Sequence, residues 1–204
     1  MTSALDKAIE IEWDMFDKTK NVGGRASCQE DYATFRIMRL SQHLSWPQEL
    51  LARYCEELKE ASEKGRNLIS EKYAWMMEST HPQEFESIKG LLSVPTPKAL
   101  DLIDMIATVE LEWAREVFQK YPNITRRGRV MTYMEDDAGN TSQETYARGE
   151  MKTYSETLLE MVLAYVQSLK TEGKNLHEMI IKNMVTQYGY TSLAEAEALA
   201  TAPR

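Results

Sequence analysis

Apolar residues in the first twenty positions recur at Leu5, Ile9, Trp13 and Phe16, a three-to-four-residue spacing that gathers side chains on one face of an α-helix. Ser3 supplies an N-cap, so the pattern predicts a helix to about Lys20, with Gly23 and Gly24 as its stop. Ser27 followed by Glu30 reads as a capping box opening a second helix, whose stripe is Ala33, Ile37, Leu40 and Leu44 and which ends at Trp46-Pro47. Ser45 then caps a helix to about Lys64, Gly65 breaks it, and Asn67 opens another that carries Tyr73, Trp75 and Met77. Pro82 begins a short fifth helix. The run SVPTP, Ser93 to Pro97, cannot be helical, because prolines lack amide donors and restrict the residues before them.

Beyond Pro97 the helical period returns through Leu102, Met105, Ile106, Val109, Trp113 and Val117, predicting a long helix to about Tyr121 that Pro122 closes. Asn123 to Asn140 has no such period. It holds a β-like run, RVMTYM, and the turn-forming DDAGN, so a long loop with room for one hairpin is expected. Helices are expected again from Ser142 to about Thr171, from Asn175 to Tyr188 and from Ser192 to about Ala200. The fold class is therefore all-α, a single helical-bundle domain over 1–204 with one long non-helical loop at about 123–141.

The two halves also echo each other. EIEW, Glu10 to Trp13, returns as ELEW, Glu110 to Trp113. SCQEDYATFRIMRLSQ from Ser27 parallels TSQETYARGEMKTYSE from Thr141, which sets Tyr32 against Tyr146; Tyr54 aligns with Tyr165, and GRNL from Gly65 with GKNL from Gly173. The order is kept throughout, so two tandem helical repeats are expected, at about 3–91 and 99–200, with Trp13 matching Trp113 and Glu12 matching Glu112. The loop after Asn123, with Arg126, Arg127 and Arg129, has no counterpart in the first half.

Composition narrows the function. A hydrophobic share of 43% suffices for a substantial core, while a net charge of −8 argues against binding nucleic-acid backbones, which needs a basic field. Acidic residues interrupt the N-terminus where a secretory peptide would be apolar, and no stretch approaches membrane-spanning length; a cytoplasmic protein without nucleic-acid or membrane partners is expected. Cys28 and Cys55 fall in separate helix-like stretches and are expected to stay reduced.

Glu12 sits at the edge of a buried stripe, where a carboxylate needs a partner. With Glu112 it would make a carboxylate pair able to hold a metal or to act as acid and base, but helical di-iron sites use two Glu-x-x-His motifs, a set this chain lacks, so neither metal nor cofactor is assigned. Arg39 shares a face with Tyr32 and Phe35. Arg25 lies near the Ser27 helix start, and Arg127, Arg129 and Arg148 near the one at Ser142, where helix N-termini favour anions. These residues, with Gln29 and Tyr146, are the candidates for holding an anionic or amino-acid-like small molecule across the repeat interface; Glu12, Glu144 and Glu150 are the candidates for moving protons. On this reading Arg39→Ala or Arg129→Ala weakens binding and leaves the melting temperature largely intact. Lys72 and Tyr73, at mid-helix, read as packed or solvated. No nucleophile elbow, phosphate loop, HExxH or dinucleotide fingerprint is present, so a noncatalytic interaction module, a homodimer included, or a purely structural repeat stays open beside an enzyme.

The segments EWDMFDKTKNVGGRASCQEDYATFRIMRLSQHLSW, GRNLISEKYAWMM and RGRVMTYMEDDAGNTSQETYARGEMKTYS resemble a microbial family catalogued only as a domain of unknown function, and the resemblance covers nearly the whole chain. Some relatives carry this domain beside a nucleotidyltransferase-like one, which implies small-molecule handling. The family supplies no catalytic residues to carry over.

Overall fold

A computed structural model describes residues 3–20 and 24–200; Gly23 and Thr201 to Arg204 lie outside the described residues. Those described fold into eleven α-helices: α1 (Ala4–Asp17), α2 (Tyr32–His43), α3 (Gln48–Glu63), α4 (Leu68–Thr80), α5 (Pro82–Ile88), α6 (Pro97–Lys120), α7 (Pro122–Thr125), α8 (Gln143–Met151), α9 (Glu156–Thr171), α10 (Leu176–Gln187) and α11 (Leu193–Leu199). The fold is all-α. Side-chain caps begin most of the long helices, each accepting a first-turn amide: Ser3 for α1, Thr96 for α6, Ser155 for α9, and Asn67 and Asn175 for α4 and α10.

Several boundaries differ from the sequence pattern, and α7 with a 3₁₀ turn at Tyr133–Glu135 falls inside the stretch expected to be non-helical. Ser27–Glu30 is a 3₁₀ turn, and α2 begins later, capped by Asp31. The turn is held by buried Gln29, whose side chain accepts from the Ala26 amide at 2.9 Å and donates to the Phe16 and Thr19 carbonyls at 2.8 and 2.9 Å, clamping it to the end of α1. Ser45 does not cap α3: its hydroxyl donates to the Ser41 carbonyl, and α3 starts behind Pro47. The stretch from Ser142 to Thr171 is two helices, because Ser155 caps α9 and its amide donates to buried Glu57 of α3 at 3.0 Å. The β-like run forms no strand among the described residues. Its Val130 and Met131 carbonyls instead accept from the first amides of α8, those of Gln143 and Glu144, at 2.8 and 3.2 Å.

The packing has two hubs, α1 and α6. α1 lies on α2, α3 and α4; α6 lies on α8, α9 and α10. α4 then crosses to α8, α10 crosses to α2, and α3 meets α9. The main core fills the space between these eight helices, and a smaller one joins Val117 to Ile181, Val185, Leu193 and Ala196. The α4–α8 crossing is tight. A Cβ on Gly149 would stand 2.9 Å from Met76 Cγ and 3.0 Å from the Lys72 carbonyl, so only glycine fits there. Cys28 and Cys55 are free thiols, and no described helix is long and apolar enough to cross a membrane.

Candidate functional site

Where α1, α2, α3, α4 and α8 converge, the core is charged. α1 contributes Glu12, fully buried; α2 contributes Arg39 and His43 one turn apart; α3 contributes Tyr54, α4 Lys72 and α8 Glu150. The Arg39 guanidinium bridges the two carboxylates, donating to Glu12 and, at 2.8 Å, to Glu150, while Nη1 also donates to Gln42 at 2.9 Å. Lys72 Nζ bonds Glu150 at 2.5 Å. The Tyr54 hydroxyl donates to Glu12 at 2.6 Å and the Tyr154 hydroxyl to Glu150 at 3.0 Å.

Burial pushes both carboxyls up, but their partners outweigh it. Arg39, then His43, hold Glu12 at about 2, and Arg39 with Lys72 holds Glu150 well below the usual carboxylate range. The two carboxylates thus face the Arg39 guanidinium and the Lys72 side chain. Because Glu12 is ionised and can only accept, His43 Nε2, 3.1 Å away, carries the proton between them. His43 Nδ1 and Arg39 Nε are buried without a hydrogen-bond partner.

The network has two outlets. At one, Tyr154 forms part of the wall of a cavity of about 280 Å³ between α3, α6 and the α8–α9 turn, whose lining charges are mixed, Arg53, Lys64, Arg66 and Lys152 beside Glu57, Glu60 and Glu156. At the other, Lys72 Nζ lies 3.5 Å from the centroid of the Tyr146 ring, and the Arg129 guanidinium lies 4.6 Å from it. Burial raises the Tyr146 hydroxyl, but the Lys72 charge overrides this and leaves it below its ordinary value. Arg129 is exposed and, among the described residues, has no carboxylate partner; one of its amines donates to the Thr141 carbonyl at 3.2 Å.

Of the residues singled out from sequence, the structure brings together Glu12, Arg39 and Glu150, with Tyr146 and Arg129 at the edge. It places the others elsewhere. Arg25 pairs with Asp17 and Glu30 on the surface, Gln29 clamps α1, and Arg127 donates to the Ala200 carbonyl. Arg148 is held by Glu144 at 2.9 Å and by Asp104, and Glu144 also accepts from the Tyr133 amide. The leading amides of α8 already bond Val130, Met131 and Ser142, so that helix start offers no anion site. Glu112 is exposed and pairs with Lys170, apart from Glu12. The half-buried acid on that helix is Glu110, which burial and the Glu150 charge push up to about 7.

Sequence reading passed over His43, Tyr54 and Tyr154 and discounted Lys72. A signal existed for Lys72: it stands on the stripe of Leu68, Ile69, Trp75 and Met76, all buried.

A family model matches residues 2–198 of the chain. The protein belongs to DUF4125, a family of proteins of unknown function. No curated protein and no solved structure matches it. In this DUF4125 protein the functional reading therefore rests on the charged convergence itself, whose helices all lie inside the matched span.

Proposed function

We propose that this protein binds a small anionic molecule at the boundary of its two helical halves, where Arg129 and Tyr146 stand over the buried Lys72. The carrying observation is that Arg129, exposed and without a carboxylate partner among the described residues, and the buried Lys72 both lie against the Tyr146 ring. A duplication is supported by buried positions that keep step: Ala8, Ile9, Met15 and Phe16 of α1 with Ile106, Ala107, Trp113 and Ala114 of α6, and Leu50, Leu51, Tyr54, Leu58 and Ala61 of α3 with Leu158, Leu159, Val162, Val166 and Leu169 of α9. Asn67 donates to the Met15 carbonyl and Asn175 to that of Trp113, in the same register. That register matches Glu12 with Glu110, not Glu112, and Trp113 with Met15, not Trp13.

Carried along α3 and α4 into α9 and α10, it sets Tyr54 against Val162 and Lys72 against Ile180. At these two places the second half is apolar. Burying charge is expensive, and apolar replacement of such networks is often neutral or stabilising, so a buried charge network that joins Glu150 of the second half to residues of the first reads as serving something besides folding. With Glu12 and Glu150 both ionised, their part is to hold Arg39 and Lys72 rather than to donate protons. A structural pin between halves is the second reading, favoured by how few atoms of the network lack partners.

Calorimetric titration with phosphate, pyrophosphate, citrate and glutamate tests the proposal. At least one should bind, and Arg129→Ala should weaken it about ten- to a hundredfold, the worth of one charge-assisted hydrogen bond, with the melting temperature unchanged. Absence of binding at millimolar concentrations, or binding indifferent to Arg129→Ala, would leave the structural pin standing.

A further inference from the structure

The cavity walled by Tyr154 changes character from inside to outside. Ala61 of α3, Leu68 of α4 and Ala99 of α6 are buried and form an apolar floor. Glu60 and Lys64 of α3, with Ser93 and Val94 of the extended stretch before α6, are exposed and form the rim. Its volume of about 280 Å³ lies just under the roughly 300 to 1,000 Å³ of pockets that take drug-sized molecules, so a smaller metabolite suits it. The charges around it are unequally committed. Arg53 bonds Glu57 at 3.0 Å, Glu57 also accepts from the Ser155 amide, and Arg66 is bidentate on Glu71 at 2.5 and 2.9 Å. Lys64 and Glu60, in contrast, stand 3.6 Å apart with side chains 68% and 54% exposed. An exposed pair that loose contributes little, so a ligand that meets both of its charges displaces it at small cost.

We propose that this cavity binds a zwitterionic amino acid with an aliphatic side chain, the side chain on the Ala61–Leu68–Ala99 floor, the ammonium at Glu60 and the carboxylate at Lys64. The site is separate from the Arg129–Tyr146 edge and does not depend on the anion-binding reading. Three features select this class of ligand. The rim sets a carboxylate beside its cation, so a molecule with negative charge alone meets repulsion as well as attraction, whereas one that carries both signs satisfies both groups. The floor is apolar and buried, and covering it with hydrocarbon is the main favourable term open to a small ligand. Glu60 and Lys64 lie one turn apart on α3 with Ala61 next to Glu60 in the chain, so head group and floor are within reach of one small molecule.

Calorimetric titration of the full chain compares leucine with three probes that each lack one feature: glycine without the aliphatic side chain, isocaproate without the ammonium and leucinamide without the carboxylate. Leucine should bind at least about tenfold tighter than each, the worth of one charge-assisted hydrogen bond or of a few buried methylene groups. Lys64→Gln, which removes the rim cation, and Val94→Trp, which narrows the mouth from an exposed position, should each weaken leucine binding about tenfold with the melting temperature unchanged. Arg129→Ala should leave it as it was. Any of the three probes binding as tightly as leucine overturns the assignment, as does leucine binding indifferent to both rim substitutions. Absence of leucine binding at millimolar concentrations overturns it too, and leucine binding lost in Arg129→Ala overturns it by placing the ligand at the other site.

Discussion

Glu12 on α1 and Glu110 on α6 are both acids that burial pushes up, yet one carboxyl is held at about 2 and the other is pushed to about 7. What separates them is the company each keeps: Arg39, His43 and Tyr54 surround the first, while the second meets the like charge of Glu150. The comparison teaches that burial alone does not decide whether an acid is charged; for Glu12 the side chains on two neighbouring helices, α2 and α3, decide it.

The largest expected effect comes from removing the central cation. Arg39→Ala leaves Glu12 and Glu150 buried with too little positive charge and should cost about 3 to 5 kcal/mol in urea unfolding. This reverses what the sequence suggests for that substitution, because Arg39 proves to be 5% exposed and closed between two carboxylates, not aimed at a ligand. Removing the network's charges together, Arg39→Ala, His43→Met, Tyr54→Val and Lys72→Ile with Glu12→Gln and Glu150→Gln, should recover most of that loss. If the combined variant is less stable than Arg39→Ala alone, the network contributes to folding beyond balancing its own charges.

Gly149→Ala comes next. The α4–α8 crossing has no room for a methyl group, and overpacking there should cost about 1 to 3 kcal/mol, read as a lower urea midpoint at unchanged slope. At the other crossing, α10 onto α2, the Ser41 carbonyl accepts from Asn183 at 3.1 Å. The two crossings are thus held differently, one by close backbone approach and the other by a hydrogen bond, and a mild Gly149→Ala would erase that distinction.

The smallest effect is a dependence on pH. Glu110 has a folded pKa raised from 4.5 to about 7, so its contribution is fully present below 4.5 and is lost as pH rises through 7. Glu12 has the opposite sign: its contribution is present above 4.5 and is lost as pH falls toward 2. Glu110→Gln should therefore stabilise the protein by about 1 kcal/mol at pH 8, after discounting for partial exposure, and change little at pH 4. A melting-temperature gain of the same size at both values would show that Glu110 titrates normally.

Helix periodicity carried most of the fold in the sequence, because α1, α4, α6 and α10 each have a side-chain cap and an apolar stripe. What it could not carry were features set by contacts across the chain. The break between α8 and α9 depends on Glu57 bonding Ser155, and nothing local to Lys152–Ser155 announces it. The candidate site was half legible. Glu12 and Arg39 stood out as charges on apolar stripes, and Glu150 as a carboxylate beside the divergent loop. Arg127 and Arg148 drew attention through proximity in sequence to a helix start, but proximity says nothing of which carboxylate or carbonyl a guanidinium finds first. For the proposed repeat the two signals differ, since EIEW and ELEW match as letters while the buried positions align Glu12 with Glu110.

The exchanged crossings, α4 onto α8 and α10 onto α2, mean that neither half encloses its own fourth helix. A polypeptide severed in the extended Ser93–Thr96 stretch would give two pieces that each lack one wall of the core, so neither should hold a folded state alone. Mixed, the pieces should find each other, because the surfaces left bare on one are the ones the other covers. The arrangement works like a pair of clasped hands made from a single thread, and it binds the two halves into one cooperative melting unit.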